Sequence, residues 1–284
     1  MYIAPVNVVL VVCAPQRRGN KGMLSLRLFS SAIGIPLLIL AVWLGSYWFL
    51  LPIIAIAAMG TWEFGRLVSP VTVKPPVVFS IVVSLGFTVS SHWSGIYLLI
   101  ALVVGILVSL AWQILQELRK KEAKAQFLGL AGPFYIAIPL SLAILLRDGA
   151  DGRDWILLIL LATFSVDTGA YAIGRLFGKH KLAPRISPGK TWEGVIGGLL
   201  TGVGATFGLT LVLNLPMDTW KALPLGVLLA IAGMLGDLVE SWLKRTAGAK
   251  DSGNLIPGHG GVLDRTDSIV GTLVMAYFWV LWAA

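Results

Sequence analysis

Apolar segments long enough to cross a lipid bilayer recur along this 284-residue chain. Because 57% of its residues are hydrophobic and only 13% are charged, with a mean hydropathy of +0.84, it has too few polar side chains to cover a soluble surface. A bilayer core is spanned by about 17 to 25 helical residues, and backbone groups inside it must pair internally. None of the segments alternates like the strands of a membrane barrel. The sequence therefore predicts an all-α, polytopic integral membrane protein.

The apolar segments predict about nine transmembrane helices. The predicted spans lie at about residues 28–45, 47–64, 77–91, 96–115, 127–146, 155–174, 194–213, 222–240 and 268–284. With the N-terminus in the cytoplasm, all but three of the 22 Lys and Arg residues fall on the cytoplasmic side, the exceptions being Arg147, Arg153 and Lys221. This asymmetry is typical of membrane proteins and predicts a cytoplasmic N-terminus. Since the placement of the cations explains the net charge of +8, we expect no nucleic-acid partner.

The first 22 residues differ from the rest of the chain. Their positive charges follow a short apolar run, which is the reverse of the order in a signal peptide. We interpret residues 1–22 as an N-terminal extension, with Met23 as a candidate initiator, and residues 23–284 as a single membrane-embedded domain. Cys13 is the only cysteine, so no disulfide can form within the chain and helix packing must hold the fold.

Two predicted helices carry acidic residues near their cytoplasmic ends. Asp167 lies about seven residues, or roughly 10 Å, from the inner end of its predicted helix. A carboxylate at that depth costs several kcal/mol unless it is paired, hydrated or bound to metal, so a functional role is the default expectation, with helix packing as the alternative. Asp237 lies at the end of the eighth predicted span, and if that helix continues, Asp237, Ser241 and Lys244 have the spacing of one helix face.

A polar loop, "KDSGNLIPGHGGVLDRTDS", follows that helix. Glycines at 258, 260 and 261 allow positive φ and close approach of the backbone to a ligand, and exposed N–H groups in such a loop can bind phosphate, helped by His259 and Arg265. Asp264 and Asp267 offer oxygen ligands to a hard cation such as Mg²⁺. Although Asp267 could simply cap the last helix, the loop as a whole predicts a metal and phosphate site.

The other large cytoplasmic loop is "GRLFGKHKLAPRISPGKTWEG". Its "PGKT" lacks the glycine that a Walker phosphate loop requires at position 184, which is proline here. Its five cations nevertheless suit a triphosphate or an anionic lipid head group, although they could only touch acidic lipid. They are Arg175, Lys179, Lys181, Arg185 and Lys190.

Glycines repeat every fourth residue in the seventh predicted span. Gly194, Gly198 and Gly202 form one such series, and Gly204 and Gly208 form another. Because small residues let membrane helices approach closely, we interpret both series as packing positions without chemistry.

Two segments carry a resemblance to a known family. "SWLKRTAGAKDSGNLIPGHGGVLDRTDS", residues 241–268, resembles the signature of phosphatidate cytidylyltransferase, also called CDP-diacylglycerol synthase. The signature has Ser, Lys-Arg, Lys-Asp, a Pro-His-Gly-Gly turn and Asp-Arg-x-Asp at the spacing found here. "DTGAYAIGRLFGKHKLAPRISPGKTWEG", from Asp167, is similar to a second block of the same family. The resemblance covers about residues 23–284.

The resemblance implies an enzyme that transfers the cytidylyl group of CTP to phosphatidate and releases pyrophosphate. It also implies Mg²⁺, a second cation such as K⁺, a homodimer, and a bacterial inner (plasma) membrane location with the active site facing the cytoplasm. The metal ligands would be Asp237 and Asp264. The other site residues fall into two groups. We expect catalytic roles for Lys244, Arg245, Arg265, Asp267 and Asp167, and substrate binding by Ser187, Lys190, Ser241, Lys250, Asp251, Gly258, His259, Gly260 and Gly261.

Two other functions remain open from the residues alone. Another CTP-dependent membrane enzyme, such as a polyprenol kinase, would share the nucleotide and differ in the acceptor. An ion transporter would also carry intramembrane carboxylates. The acids of this chain, however, gather at one end of the predicted helices and form no path across the bilayer.

Overall fold

The computed structural model describes residues 20–69, 76–119, 130–253, 255 and 260–283, with side chains described from residue 32 to residue 282. These residues form nine helices. They are α1 (Asn20–Leu44), α2 (Ser46–Val68), α3 (Val77–Ser91), α4 (Gly95–Leu118), α5 (Leu130–Asp148, with a π-helical segment at Pro133–Ala137), α6 (Gly152–Phe177), α7 (Trp192–Val212), α8 (Ala222–Thr246) and α9 (Leu263–Ala283). Each predicted span corresponds to one of them.

The helices are those of a polytopic membrane protein. Within the described residues, six are long and apolar enough to cross a bilayer: α2, α4, α5, α6, α7, and α8 together with the 3-10 turn that precedes it. Two shorter apolar helices are Ala32–Leu44 and Val77–Ser91. Helix α4 is the clearest example of a lipid-facing helix, because only 17% of its most apolar 18-residue stretch is buried inside the protein. The prediction of an all-α membrane fold is confirmed, whereas nine spans and a cytoplasmic N-terminus stay predictions.

One end of the bundle carries the three cations that the sequence separates from the others. Arg147, at the end of α5, donates hydrogen bonds to the carbonyl oxygens of Val42 (2.6 Å) and Trp43 (3.1 Å) at the end of α1. The guanidinium of Arg153 lies 4.6 Å from the centre of the Trp43 ring. These contacts satisfy carbonyl groups that a helix end leaves unpaired and tie α1 to the junction of α5 and α6.

A β-hairpin connects α6 to α7 and was not predicted. Its strands, β1 (Lys181–Ala183) and β2 (Ser187–Thr191), are antiparallel, with Lys181 opposite Thr191 and Ala183 opposite Ser187. Thr191 ends the hairpin and caps α7, because its Oγ1 accepts a hydrogen bond from the N–H of Gly194 at 3.1 Å. The hairpin thereby fixes the loop that carries Ser187 and Lys190 against the membrane helices.

The two glycine series in α7 have different surroundings. A Cβ at Gly202 would collide with the side chain of Val166 on α6, and one at Gly194 would lie 2.8 Å from the carbonyl oxygen of Ala170. By contrast, a Cβ at Gly204 or Gly208 would meet no atom within 4 Å. The packing interpretation is therefore confirmed for the first series, whereas the second series packs against no helix in the described part of this chain.

We expect Gly202→Leu to destabilise the protein, since the added side chain must push α6 away from α7. Overpacking of this kind costs about 1–3 kcal/mol. The matched control is Gly204→Leu, in the same helix but with open space around its Cβ. Thermal unfolding in detergent should place the Gly202 variant several degrees below the control. Equal melting temperatures would contradict close packing at Gly202.

Candidate active site

A cavity of about 730 Å³ lies between α6, the hairpin, α7 and α8. Its wall combines acidic, cationic and small residues from segments far apart in the sequence. The polar lining residues are Asp167, Tyr171, Arg175, Lys181, Ser187, Lys190, Thr191 and Asp237. The cavity thus unites Asp167 and Asp237 from the helices with Ser187 and Lys190 from the loop, as a shared site requires.

Asp237 and Lys190 form the ion pair at the centre of this wall. The Nζ of Lys190 lies 2.9 Å from Oδ2 of Asp237, and both side chains are partly exposed to the cavity. Ser241, one turn later in α8, donates a hydrogen bond of 3.3 Å to Oδ1 of Asp237. The prediction that Asp237 and Ser241 share a helix face is confirmed. Lys190, which the sequence placed in a cationic loop and assigned to substrate binding, pairs with Asp237 across the cavity.

Asp167 lies farther from the end of its helix than the sequence predicted. Helix α6 continues to Phe177, ten residues beyond Asp167, which is about 15 Å of helix. The Oδ1 of Asp167 accepts a hydrogen bond of 3.3 Å from Ser268 of α9. Asp237 and Asp267 lie close enough to repel its charge, and Lys190 partly offsets them. Around Asp167 itself three carboxylates thus meet one lysine, and this local surplus of negative charge favours a cation beside Asp167.

Lys244 and Asp264 form a second, more buried ion pair beside the cavity. The Nζ of Lys244 donates a hydrogen bond of 2.7 Å to Oδ1 of Asp264, and it lies 3.2 Å from Oε1 of Glu240. Asp264 also accepts backbone N–H groups from Gly261 at 2.9 Å and from Ser252 at 3.1 Å. Burial alone would raise the pKa of Asp264, but the hydrogen bonds from Lys244, Gly261 and Ser252 outweigh it and hold that pKa below its ordinary value.

Glu63 is a site residue that sequence reasoning missed. This carboxylate of α2 is 1% exposed. Its Oε2 accepts hydrogen bonds from the N–H of Leu263 at 3.0 Å and from the hydroxyl of Ser252 at 3.3 Å. A Cβ at Gly261 would collide with the Glu63 carboxylate, so only glycine fits there. Glu63 and Asp264 therefore hold the two ends of the 252–263 loop between them. A lone acid in an otherwise apolar segment was the only signal for Glu63 in the sequence.

The other predicted residues have varied surroundings. Arg245 donates to the carbonyl oxygens of Ile186 (3.2 Å) and Ala249 (3.1 Å), so it ties the hairpin turn to the end of α8. Asp251 lines a separate cavity of about 360 Å³, Lys250 is exposed, and Gly260 has the expected positive φ of 87°. Asp267 accepts the N–H of Ser268 at 2.8 Å. Gly258 and His259 lie outside the described residues.

The acids of the cavity suit Mg²⁺ only in part. Among the described residues, no three Asp, Glu, His or Cys side chains converge as ligands for one ion. Mg²⁺, however, is commonly bound through one or two carboxylates together with substrate phosphates, and Asp167 and Asp237 on one wall fit that arrangement. Asp264 does not line this cavity, and its oxygens already accept protein hydrogen bonds.

Comparison with known proteins gives a family match over most of the chain. The model of the cytidylyltransferase family matches residues 25–282. A phosphatidate cytidylyltransferase of Staphylococcus haemolyticus is 48% identical over 124 residues, which are 44% of this chain and 48% of that protein. The enzymes of the same name from Mycobacterium bovis and Brucella suis are each 45% identical, over 127 and 148 residues. These cover 45% and 52% of this chain, and 41% and 54% of the relatives.

The chain therefore spans about half the length of the curated relatives that it matches. The family model covers far more of the chain and includes the hairpin, both ion pairs and Glu63.

We expect Glu63→Ala to loosen the 252–263 loop, because it leaves the N–H of Leu263 and the hydroxyl of Ser252 without their acceptor. Each buried polar group without a partner costs about 1–3 kcal/mol. Glu63→Gln keeps one acceptor oxygen and should lie between the alanine variant and the unchanged protein. Thermal unfolding and amide hydrogen exchange of residues 252–263 measure the effect. Glu117→Ala, at an exposed glutamate of α4, is the control, and equal exchange in both alanine variants would contradict the assignment.

Proposed function

Because the chain belongs to the cytidylyltransferase family, we propose that it transfers the cytidylyl group of CTP to phosphatidate, giving CDP-diacylglycerol and pyrophosphate for phospholipid synthesis. The observation that carries this proposal is the shared cavity, where Asp167 and Asp237 face Lys190, Lys181 and Arg175. A site for two polyanionic substrates needs cations for the phosphates and carboxylates for a metal ion, and this cavity has both. The relatives named phosphatidate cytidylyltransferase support the choice of acceptor.

The chemistry requires little covalent help from the protein. A phosphate monoester such as phosphatidate carries about 1.5 to 2 negative charges at neutral pH, so it can attack without a strong general base. One of its oxygens forms a bond to the α-phosphorus of CTP. The bond from that phosphorus to the β-phosphate oxygen breaks, and pyrophosphate leaves with the electron pair. The obstacle is repulsion between two anions, so catalysis consists of positioning and charge neutralisation.

Different residues of the cavity contribute to positioning and to charge neutralisation. Lys190, held by Asp237 at 2.9 Å, is placed to contact a phosphate, and Ser187 lies on the same strand with a hydroxyl to donate. Arg245 positions their hairpin through the carbonyl of Ile186. Lys244 is engaged with Asp264 and Glu240, so we assign it to holding the phosphate-binding loop in place. Arg265 is the cation that we assign to the lipid phosphate.

A divalent ion fits the same wall. Asp167 and Asp237 would hold Mg²⁺, which when bound supplies positive charge to the phosphates of CTP. Asp267, within hydrogen-bonding reach of Glu240, is a third carboxylate close to Asp167 and Asp237. Asp264 as a second ligand, and K⁺ as a second cation, are further parts of the proposal. Asp264 would have to exchange its hydrogen bond with Lys244 for the metal.

The membrane arrangement is part of the same proposal. Nine spans with a cytoplasmic N-terminus place the hairpin, the ion pairs and the 252–263 loop on the cytoplasmic side of a bacterial inner membrane, where CTP is present. Arg147 and Arg153 would then face the outside, in agreement with the positive-inside rule. Residues 23–284 would act as one domain, and the active form would be a homodimer.

Label transfer tests the reaction directly. With purified protein, Mg²⁺ and CTP labelled in its α-phosphate, we expect label in the lipid phase only when phosphatidate is supplied. A chelator should abolish the transfer. For the kinase alternative, polyprenol replaces phosphatidate and the CTP is labelled in its γ-phosphate, because a kinase transfers that phosphate and releases CDP. Label from α-labelled CTP in lipid without phosphatidate would contradict the proposed acceptor. Ion flux in proteoliposomes without nucleotide turnover would favour a transporter.

Lys190→Ala should lower kcat/KM about 10- to 100-fold, because a hydrogen bond to a charged group contributes about 1.5–3 kcal/mol. The matched control is Lys179→Ala, at an exposed lysine of the same loop that does not line the cavity. It should stay within about two-fold of the unchanged protein, as expected for a surface charge. Equal losses in both variants would show a general charge effect and would contradict a specific role for Lys190.

A further inference from the structure

An apolar groove of about 590 Å³ runs along the lipid-facing side of the bundle, apart from the polar cavity. Helices α1, α2, α5, α6 and α9 contribute its walls, with Gly34, Ile53, Met59, Phe164 and Ile269 among the lining residues. Ile35 and Phe164 are 51% and 44% exposed, so the groove opens sideways from the protein. In a membrane this opening faces the acyl chains of the bilayer.

One end of the groove is polar. Among the residues that the structure describes, Arg265 and Thr266, in the first turn of α9, are the lining residues with polar side chains. Arg265 directly follows Asp264, which is hydrogen-bonded to Lys244, so the polar end lies next to the ion-pair network. A guanidinium at the end of an apolar groove is complementary to a phosphate attached to an acyl chain.

The length of the groove matches one leaflet. Along α9 the lining runs from Arg265 to Leu273, eight residues or about 12 Å, and along α2 from Met59 back to Phe49, ten residues or about 15 Å. Half of a hydrocarbon core of about 30 Å is about 15 Å. The groove therefore extends about 12–15 Å from Arg265, a length comparable to the acyl-chain thickness of one leaflet.

We propose that this groove binds an acyl chain of the acidic lipid substrate, with the lipid phosphate at Arg265. This inference rests on the proposed function and adds to it a determinant of chain length on α1, α2 and α9. The lipid is held in register with the reaction centre by its chain as well as by its phosphate.

Gly34→Phe tests the groove, because a Cβ at Gly34 would meet no atom within 4 Å and the ring can occupy the groove without displacing protein. If the ring excludes about two methylenes of the chain, the KM for dioleoyl phosphatidate should rise roughly ten-fold. The KM for CTP should not change, and dioctanoyl phosphatidate should be affected less. The control is Gly86→Phe on α3, which also has open space but lies outside the groove.

If the ratio of the KM for dioleoyl phosphatidate to the KM for dioctanoyl phosphatidate is the same in Gly34→Phe and Gly86→Phe, the assignment of the groove is overturned. The proposed function would remain intact. No label transfer by the unchanged protein to either lipid would overturn the proposed function, and the groove assignment with it.

Photo-crosslinking gives a readout that does not depend on turnover. Phosphatidate with a diazirine near the end of its chain should label residues such as Ile53 or Leu273 in the unchanged protein, and less so in Gly34→Phe. Unlabelled phosphatidate should compete, whereas phosphatidylcholine should not. Equal competition by phosphatidylcholine would show that the groove holds bulk lipid and would overturn the proposal.

Discussion

Carboxylates buried among apolar helices must find partners, and this requirement organises the whole polar end of the molecule. Lys244 pairs with Asp264, Lys190 pairs with Asp237, and Glu63 takes its hydrogen bonds from the loop that precedes α9. A single unpaired charge in such surroundings would cost several kcal/mol. The pairs therefore join α2, α8, α9 and the hairpin into one unit. Because these elements cannot separate without leaving a charge unpaired, the pairs also hold the cavity in its shape.

Much of the fold could be predicted from the hydrophobicity and the length of the apolar segments. Every predicted span corresponds to a helix, because a bilayer allows few alternatives to helix for an apolar segment. The hairpin at 181–191 was missed because its strands are short and mostly polar, so they carry no apolar alternation. The glycine series show the limit of pattern alone. Gly202 and Gly204 look alike in sequence, but within the described part of the chain only Gly202 faces a neighbouring helix.

The site was predicted less completely than the fold. Loop motifs pointed to Ser187 and Lys190 and a polar helix face pointed to Asp237, and the structure brings their side chains to one cavity. Sequence spacing could not pair residues that are distant in the chain. The contact of Lys190 with Asp237 and that of Glu63 with Leu263 depend on how the helices pack, which no local pattern records. The distance from Asp167 to the end of its helix was underestimated because α6 continues past the predicted boundary, and helix ends are the least predictable part of a helix.

The hydrogen bonds of Glu63 have a consequence for how such a protein can be divided. Helix α2 comes from the first quarter of the chain, yet it supplies the acceptor for Leu263, 200 residues later. A fragment that began at α6 would contain the cavity wall and both lysines, but it would lack this acceptor. The amino-terminal helices therefore do more than anchor the protein in the membrane, and they cannot be exchanged for arbitrary membrane helices. Chimeras that splice them from a distant homologue should succeed only where the donor brings a carboxylate to the same depth.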